Sequence, residues 1–154
     1  MHNLAGPDKK SIWPYALAAI ISLVGLGDAL YLTIQDLTGE SLRCTLISGC
    51  SEVLGSKYAH FGPVPLASIG AVAYFVFFSL AILAAFGYAF ARPLLLVLVS
   101  VMFLTTLWLL YLQAFVIRHF CQYCLLSAAV TVTLTALVLI SSRTKNKASQ
   151  GSGG

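Results

Sequence analysis

The sequence predicts an all-α integral membrane protein: a bundle of four transmembrane helices with a cysteine-bearing outer loop and a short surface helix. Three observations carry that expectation. Only 9% of the 154 residues are charged and 59% are hydrophobic, whereas a soluble domain is roughly a quarter charged. Mean hydropathy is +0.91. Four continuous apolar runs each approach or exceed the roughly 20 residues that cross a hydrocarbon core as a helix. So little charge cannot solvate a globular surface, which excludes a soluble fold. The net charge of +4 then bears on topology and gives no reason to expect a nucleic-acid partner.

The first helix is expected over about residues 12–34. Its apolar run is too long for a secretory signal, and no small-residue cleavage site follows it. The second is expected over about 65–90, the third over 93–117 and the fourth over 122–140. Being continuous rather than alternating, these runs predict helices and not barrel strands. Pro65 and Pro93 fall at helix starts, where a missing N–H is harmless. Residues 36–64 form the outer loop, about 29 residues, and connections of that length commonly carry function. One membrane domain, 12–140, is flanked by polar tails at 1–11 and 141–154. The closing "GSGG" resembles a linker and is set aside.

Orientation follows from the basic residues. Lys9, Lys10, Arg92, Arg143, Lys145 and Lys147 fall on one side, and Arg43, Lys57 and Arg118 on the other. Six against three places both termini in the cytoplasm. All four cysteines then face outward, toward a periplasm-like space or the lumen of the endoplasmic reticulum, where disulfides persist.

Cys121 and Cys124, in "RHFCQYCLLSA", open the fourth helix. Residues three apart share a helix face, and unpaired N–H groups at a helix start stabilise a thiolate. The pair sits where a lipid-soluble oxidant and a water-side thiol can both reach it. Cys44 and Cys50 lie in the outer loop with five residues between them, Gly49 included. A short helix from Ser48 to about Ala59 would put Cys50 in its first turn. Two dithiols on one face suit a relay by mixed-disulfide exchange. Two structural disulfides are the bland alternative, although a Cys-x-x-Cys bridge closes too small a loop to add much architecture. A four-thiolate zinc site is a further alternative by count, but the first pair is widely spaced; no metal is expected.

The whole stretch from Ile12 to Ile140 resembles the vitamin K epoxide reductase family, in particular its prokaryotic members. The residues that carry the likeness are "CTLISGC", "CSEVLGSKYAHFG", Gly70 and Tyr74 in "PLASIGAVAYF", and "FCQYCLLSA". The DsbB-like membrane oxidases do similar chemistry but carry Cys-x-x-Cys in the first outer loop, not the second. The resemblance implies a four-helix bundle around a quinone pocket near the outer surface. It implies that Cys124 donates electrons to the quinone, that Cys50 and Cys121 exchange through a mixed disulfide, and that Cys44 meets the partner protein. Ser56, six residues after Cys50, would support the loop near the pocket. Leu66 and Ala128 stand where vertebrate members have polar ligand contacts, which favours quinone reduction over epoxide reduction.

The activity implied is a membrane thiol:quinone oxidoreductase that supports disulfide formation. It would oxidise a separate thioredoxin-fold, DsbA-like partner and reduce ubiquinone or menaquinone in a prokaryotic plasma membrane. The alternatives are a vitamin K epoxide reductase of the endoplasmic reticulum and a non-enzymatic membrane protein with structural disulfides.

Other residues have two readings each. Phe61, Tyr74, Phe115 and Tyr123 could wall the pocket or form an interfacial belt. Asp28, about two turns from the outer end, could pair with Lys57 or Arg43 or take part in proton uptake by the quinone. His60 and His119 are candidates for proton transfer at the thiols or for anchoring. Gly25 and Gly27 are expected to permit close helix contact, and Gln113 to bond another helix.

Overall fold

In the computed structural model the described residues are 9–39 and 53–150, with side chains described over 12–39 and 53–143. Cys44, Cys50, Arg43 and the first part of the expected surface helix lie outside them. Helix α1 spans Lys9–Thr38, α2 Leu66–Ala85, α3 Ala91–Tyr111 and α4 Gln122–Gln150. A π-helical turn, Leu112–Ile117, extends α3. Four helical spans are long and apolar enough to cross a membrane: Ile12–Thr38, Leu66–Ala85, Ala91–Ile117 and Gln122–Arg143. The all-α four-helix bundle is therefore present.

Large apolar side chains point outward on every helix, among them Ile20, Val72, Phe75, Val97, Leu104, Trp108 and Ile140. Only 11% of the apolar window in the third span is buried. Such a surface would be unstable in water and suits lipid, where helices satisfy their own backbone groups. With no hydrophobic force between helices in lipid, close packing must hold the bundle. Helix α1 supplies that closeness through a stripe of small residues, Ala18, Ala19, Ser22, Gly25 and Ala29, all buried. Ala18, Ser22, Gly25 and Ala29 follow at spacings of three or four, which keeps them on one face, with Ala19 at its edge. Ala71, Tyr74, Phe77, Ala81 and Ala84 form the buried face of α2. Leu95 and Val99 of α3, with Leu134 and Val138 of α4, complete the same core.

Several boundaries differ from expectation, beginning with α1, which starts at Lys9 and runs past residue 34 to Thr38. Helix α2 stops at Ala85, short of Phe90, because Gly87 takes a φ of +93°. Its N–H bonds the Ala84 carbonyl at 3.1 Å, while the Tyr88 N–H bonds that of Leu83 at 3.1 Å, closing the helix end. Helix α3 begins at Ala91, so Arg92 and Pro93 lie in its first turn. Helix α4 continues into the polar tail as far as Gln150.

The connection between α1 and α2 also departs from the expected helix over 48–59. Val53 and Leu54 are helical, but residues 55–59 are turns and bends. A two-residue hairpin follows, β1 (His60–Phe61) pairing antiparallel with β2 (Val64–Pro65), His60 opposite Pro65 and Phe61 opposite Val64. Gly62, with φ +67°, supplies the positive φ that tight hairpin turns need. The His60 Nε2 lies 3.1 Å from Asp36 Oδ2 and ties the hairpin to the end of α1.

Gly25 is the most demanding position in the bundle. A Cβ there would lie 2.5 Å from Tyr74 Cε1, whereas one at Gly27 meets nothing within 4 Å. Gly25→Val should therefore displace the Tyr74 ring and destabilise the protein by roughly 1–3 kcal/mol. Gly27→Ala should leave the unfolding midpoint in detergent unchanged.

Candidate functional site

Cys121 immediately precedes α4 and is 0% exposed. Its carbonyl accepts the Leu125 N–H at 3.0 Å, and its own N–H donates to Gln113 Oε1 at 3.1 Å. A helix start buried in apolar surroundings needs such a partner, and Gln113, 2% exposed, provides it from the π-helical turn. Extra residues in such turns re-aim side chains, and π turns often mark functional sites. Arg118 then adopts a left-handed φ of 57°, which ends the turn and lets the chain reverse into α4.

The sulfur of Cys121 takes the place of a side-chain helix cap. Cys124 donates the dominant hydrogen bond to it, and the N–H groups of Tyr123 and Cys124 add theirs. Together they lower the Cys121 thiol to about 7, against the opposing effect of burial. A thiol in that range is substantially ionised near neutral pH and nucleophilic. Both cysteines are unbridged, Cys121 buried and Cys124 half-buried.

The two sulfurs have different neighbours. Cys121 packs with Val53, Leu54, Ile117 and Tyr123, and Tyr31 of α1 backs Tyr123 with ring centroids 5.4 Å apart. Cys124, but not Cys121, lines a cavity of about 130 Å³, well above the roughly 10–15 Å³ that one water requires. Helix α1 contributes Asp28, Ala29 and Leu32 to its wall, and α2 contributes Leu66, Ala67, Gly70 and Tyr74. Thr106, Leu109, Leu112, Gln113 and Ile117 come from α3 and its extension, and Ser127 and Ala128 join Cys124 from α4. The loop from Val53 to Ala59 closes the wall with Val53, Leu54, Ser56, Tyr58 and Ala59. Apolar walls with a few convergent polar groups are the usual form of a small-molecule site.

Most expected pocket residues converge here, and three do not: Phe61, Phe115 and Tyr123, the last packed on Cys121 and Tyr31. Ser56, Leu66, Gly70, Tyr74 and Ala128 all line the cavity. Ser56 Oγ donates to the Val53 carbonyl at 2.7 Å, which pins the loop segment that covers Cys121. Tyr74 is held by hydrogen bonds to Ser127 Oγ at 2.8 Å and Thr131 Oγ1 at 3.0 Å, so its ring forms wall and joins α2 to α4. Phe61 and Phe115 lie outside the cavity, 79% and 69% exposed. Phe61 projects from the hairpin, and Phe115 packs along the helix surface on Tyr111, 5.1 Å between centroids. Asp28 does not pair with Lys57, which sits over the Tyr58 ring, 5.4 Å from its centroid; Arg43 lies outside the described residues. His60 is engaged by Asp36, an anchoring role, and His119 is exposed. Among the described residues no cluster of metal ligands forms.

The lowered Cys121 thiol depends first on the Cys124 S–H donor. In protein carrying Cys44→Ser and Cys50→Ser, the ultraviolet thiolate absorbance of Cys121 should titrate near pH 7. Adding Cys124→Ala should move that titration upward, toward the ordinary thiol value of about 8.5.

A family model, the vitamin K epoxide reductase family, matches residues 16–139. The match runs from the first turns of α1 to the end of the apolar part of α4, so it takes in every wall of the cavity and both cysteine pairs. Helices, cavity and cysteine pattern agree with that match, and the chain belongs to the vitamin K epoxide reductase family, a family of membrane oxidoreductases.

Proposed function

We propose that the chain is a thiol:quinone oxidoreductase that oxidises a thioredoxin-fold partner and delivers the electrons to a membrane quinone. The observation that carries this reading is the division of the Cys121–Cys124 pair. One sulfur lines an apolar cavity, and the other is sealed under Val53, three residues along the chain from Cys50.

The chemistry runs in three exchanges. A partner dithiol reduces the Cys44–Cys50 disulfide and leaves as a disulfide. Cys50 as thiolate attacks Cys121 of an oxidised Cys121–Cys124 pair, and Cys44 resolves the mixed disulfide, leaving Cys121 and Cys124 reduced. The pair then closes again as its two electrons and two protons pass to a quinone, giving quinol. Cys121 has no solvent exposure, so an outside protein cannot reach it directly, and a loop shuttle answers that obstacle. Its hydrogen bonds make it a good leaving group in the second exchange and a good nucleophile in the third. About 30 mV shifts a two-electron equilibrium tenfold, so a quinone acceptor readily draws the chain forward. The residues bind and position, while the quinone carries the electron-accepting chemistry.

The cavity supports a quinone, ubiquinone or menaquinone, over an epoxide substrate. Leu66 and Ala128 in its wall offer no hydrogen bond where vertebrate members present polar contacts. The excess of Lys and Arg on the side of both termini supports a topology with termini in the cytoplasm and cysteines outside, in a prokaryotic plasma membrane. The partner is then a separate, DsbA-like chain in the outer space.

Purified protein supplied with a reduced thioredoxin-fold dithiol protein and a soluble quinone analogue should consume quinone. Cys124→Ala should abolish turnover, and unchanged turnover would remove Cys124 from its role. Vitamin K epoxide with a dithiol reductant should turn over slowly or not at all. Faster turnover of the epoxide than of quinone would favour the epoxide reductase reading.

A further inference from the structure

Among the described residues Asp28 is the one carboxylate in the cavity wall, and it is 9% exposed. Its Oδ2 is buried with no hydrogen-bond partner. An unpartnered buried carboxylate is strongly unfavourable as an anion, and membrane-embedded carboxyls that persist are usually tied to function. Among the described residues no counter-charge faces it. Among the described residues, the titratable groups facing it are Tyr58 from the loop, Tyr74 from α2, Cys121 just before α4, and Tyr123 and Cys124 from α4; the α3 wall contributes none. Tyr74 already bonds Ser127 and Thr131. A carboxyl with an Oδ2 unpartnered among the described residues, close to the redox sulfurs and beside the cavity, is suited to move a proton.

We propose that Asp28 is a catalytic proton carrier of the quinone step, an inference that rests on the thiol:quinone reading and assigns that reaction a further residue. Reduction of a quinone needs two protons with its two electrons. Cys121 and Cys124 lose two electrons and two protons as their S–S bond forms, and the quinone gains both as quinol. Asp28 handles one proton: its carboxylic acid protonates a quinone oxygen, and the resulting carboxylate is reprotonated from the Cys124 thiol. The other is exchanged through water at the outer face. Asp28 ends the cycle in the state in which it began.

The test compares wild type, Asp28→Asn and Asp28→Glu in two assays at several pH values. Steady-state quinone consumption reports the whole cycle, and thiol trapping after mixing with the reduced partner reports reduction of Cys44–Cys50 alone. Asp28→Asn should lower kcat at least tenfold, within the range of general acid catalysis, and leave the trapping rate unchanged. Wild-type kcat should fall at high pH as the acid form is lost. That limb should vanish in Asp28→Asn and persist in Asp28→Glu. A kcat for Asp28→Asn within tenfold of wild type overturns the proposal, as does equal loss in both assays or a wild-type kcat with no high-pH limb. The last readout needs no variant and so stands even if Asp28→Asn fails to fold. A wild-type protein that consumes no quinone overturns the underlying reading instead.

Discussion

The hydrogen bond from the Cys121 amide to Gln113 Oε1 is the constraint on which the site depends. A helix that starts inside an apolar environment leaves N–H groups that lipid cannot satisfy. The fold meets that demand by turning the end of α3 into a π-helical turn, which carries Gln113 inward to the start of α4. Once the start is fixed, the remaining helix donors converge on the Cys121 sulfur, and the three-residue offset sends Cys124 to the cavity. Burial of a thiol alone would raise its pKa and make it inert. Here a hydrogen-bonded sulfur at a helix terminus reverses that outcome.

The bilayer explains the rest of the architecture. Outward apolar side chains hold the bundle in lipid without binding the helices to one another, so cohesion rests on the small-residue stripe of α1 and the Tyr74 network. Gly25 makes room for Tyr74, and Tyr74 bonds α4 one turn below Cys124. The same contact that closes the bundle core thus sets one wall of the cavity. A short hairpin, anchored by Asp36 and His60, returns the loop over the opening, and Ser56 holds the segment that covers Cys121.

Much of this was legible in the sequence, and the failures have physical causes. Apolar runs marked four helices because a membrane span leaves no other pattern. Their ends were misplaced where one residue decides: Gly87 cuts an apolar run that hydropathy alone would continue to Phe90. The hairpin had a signal in "FGPVP", a Gly-Pro turn between β-compatible residues, outweighed by the expectation of a loop helix. Ser56, Gly70 and Tyr74 were named through family resemblance alone, and all three line the cavity. Phe61 and Phe115 were misassigned because aromatic residues near a membrane boundary look alike in sequence whether they line a pocket or face lipid. The π-helical turn had no sequence signature, so Gln113 was expected to bond another helix without its target, the Cys121 amide, being apparent.

The central claim is that Cys121, not Cys124, is the sulfur that exchanges with the loop pair. Protein carrying both Cys44→Ala and Cys124→Ala retains only Cys50 and Cys121. Under mild oxidation in the membrane these two should join as a single disulfide, identified by mass analysis of the linked peptides. The account is contradicted if they remain separate while protein carrying Cys44→Ala and Cys121→Ala links Cys50 to Cys124.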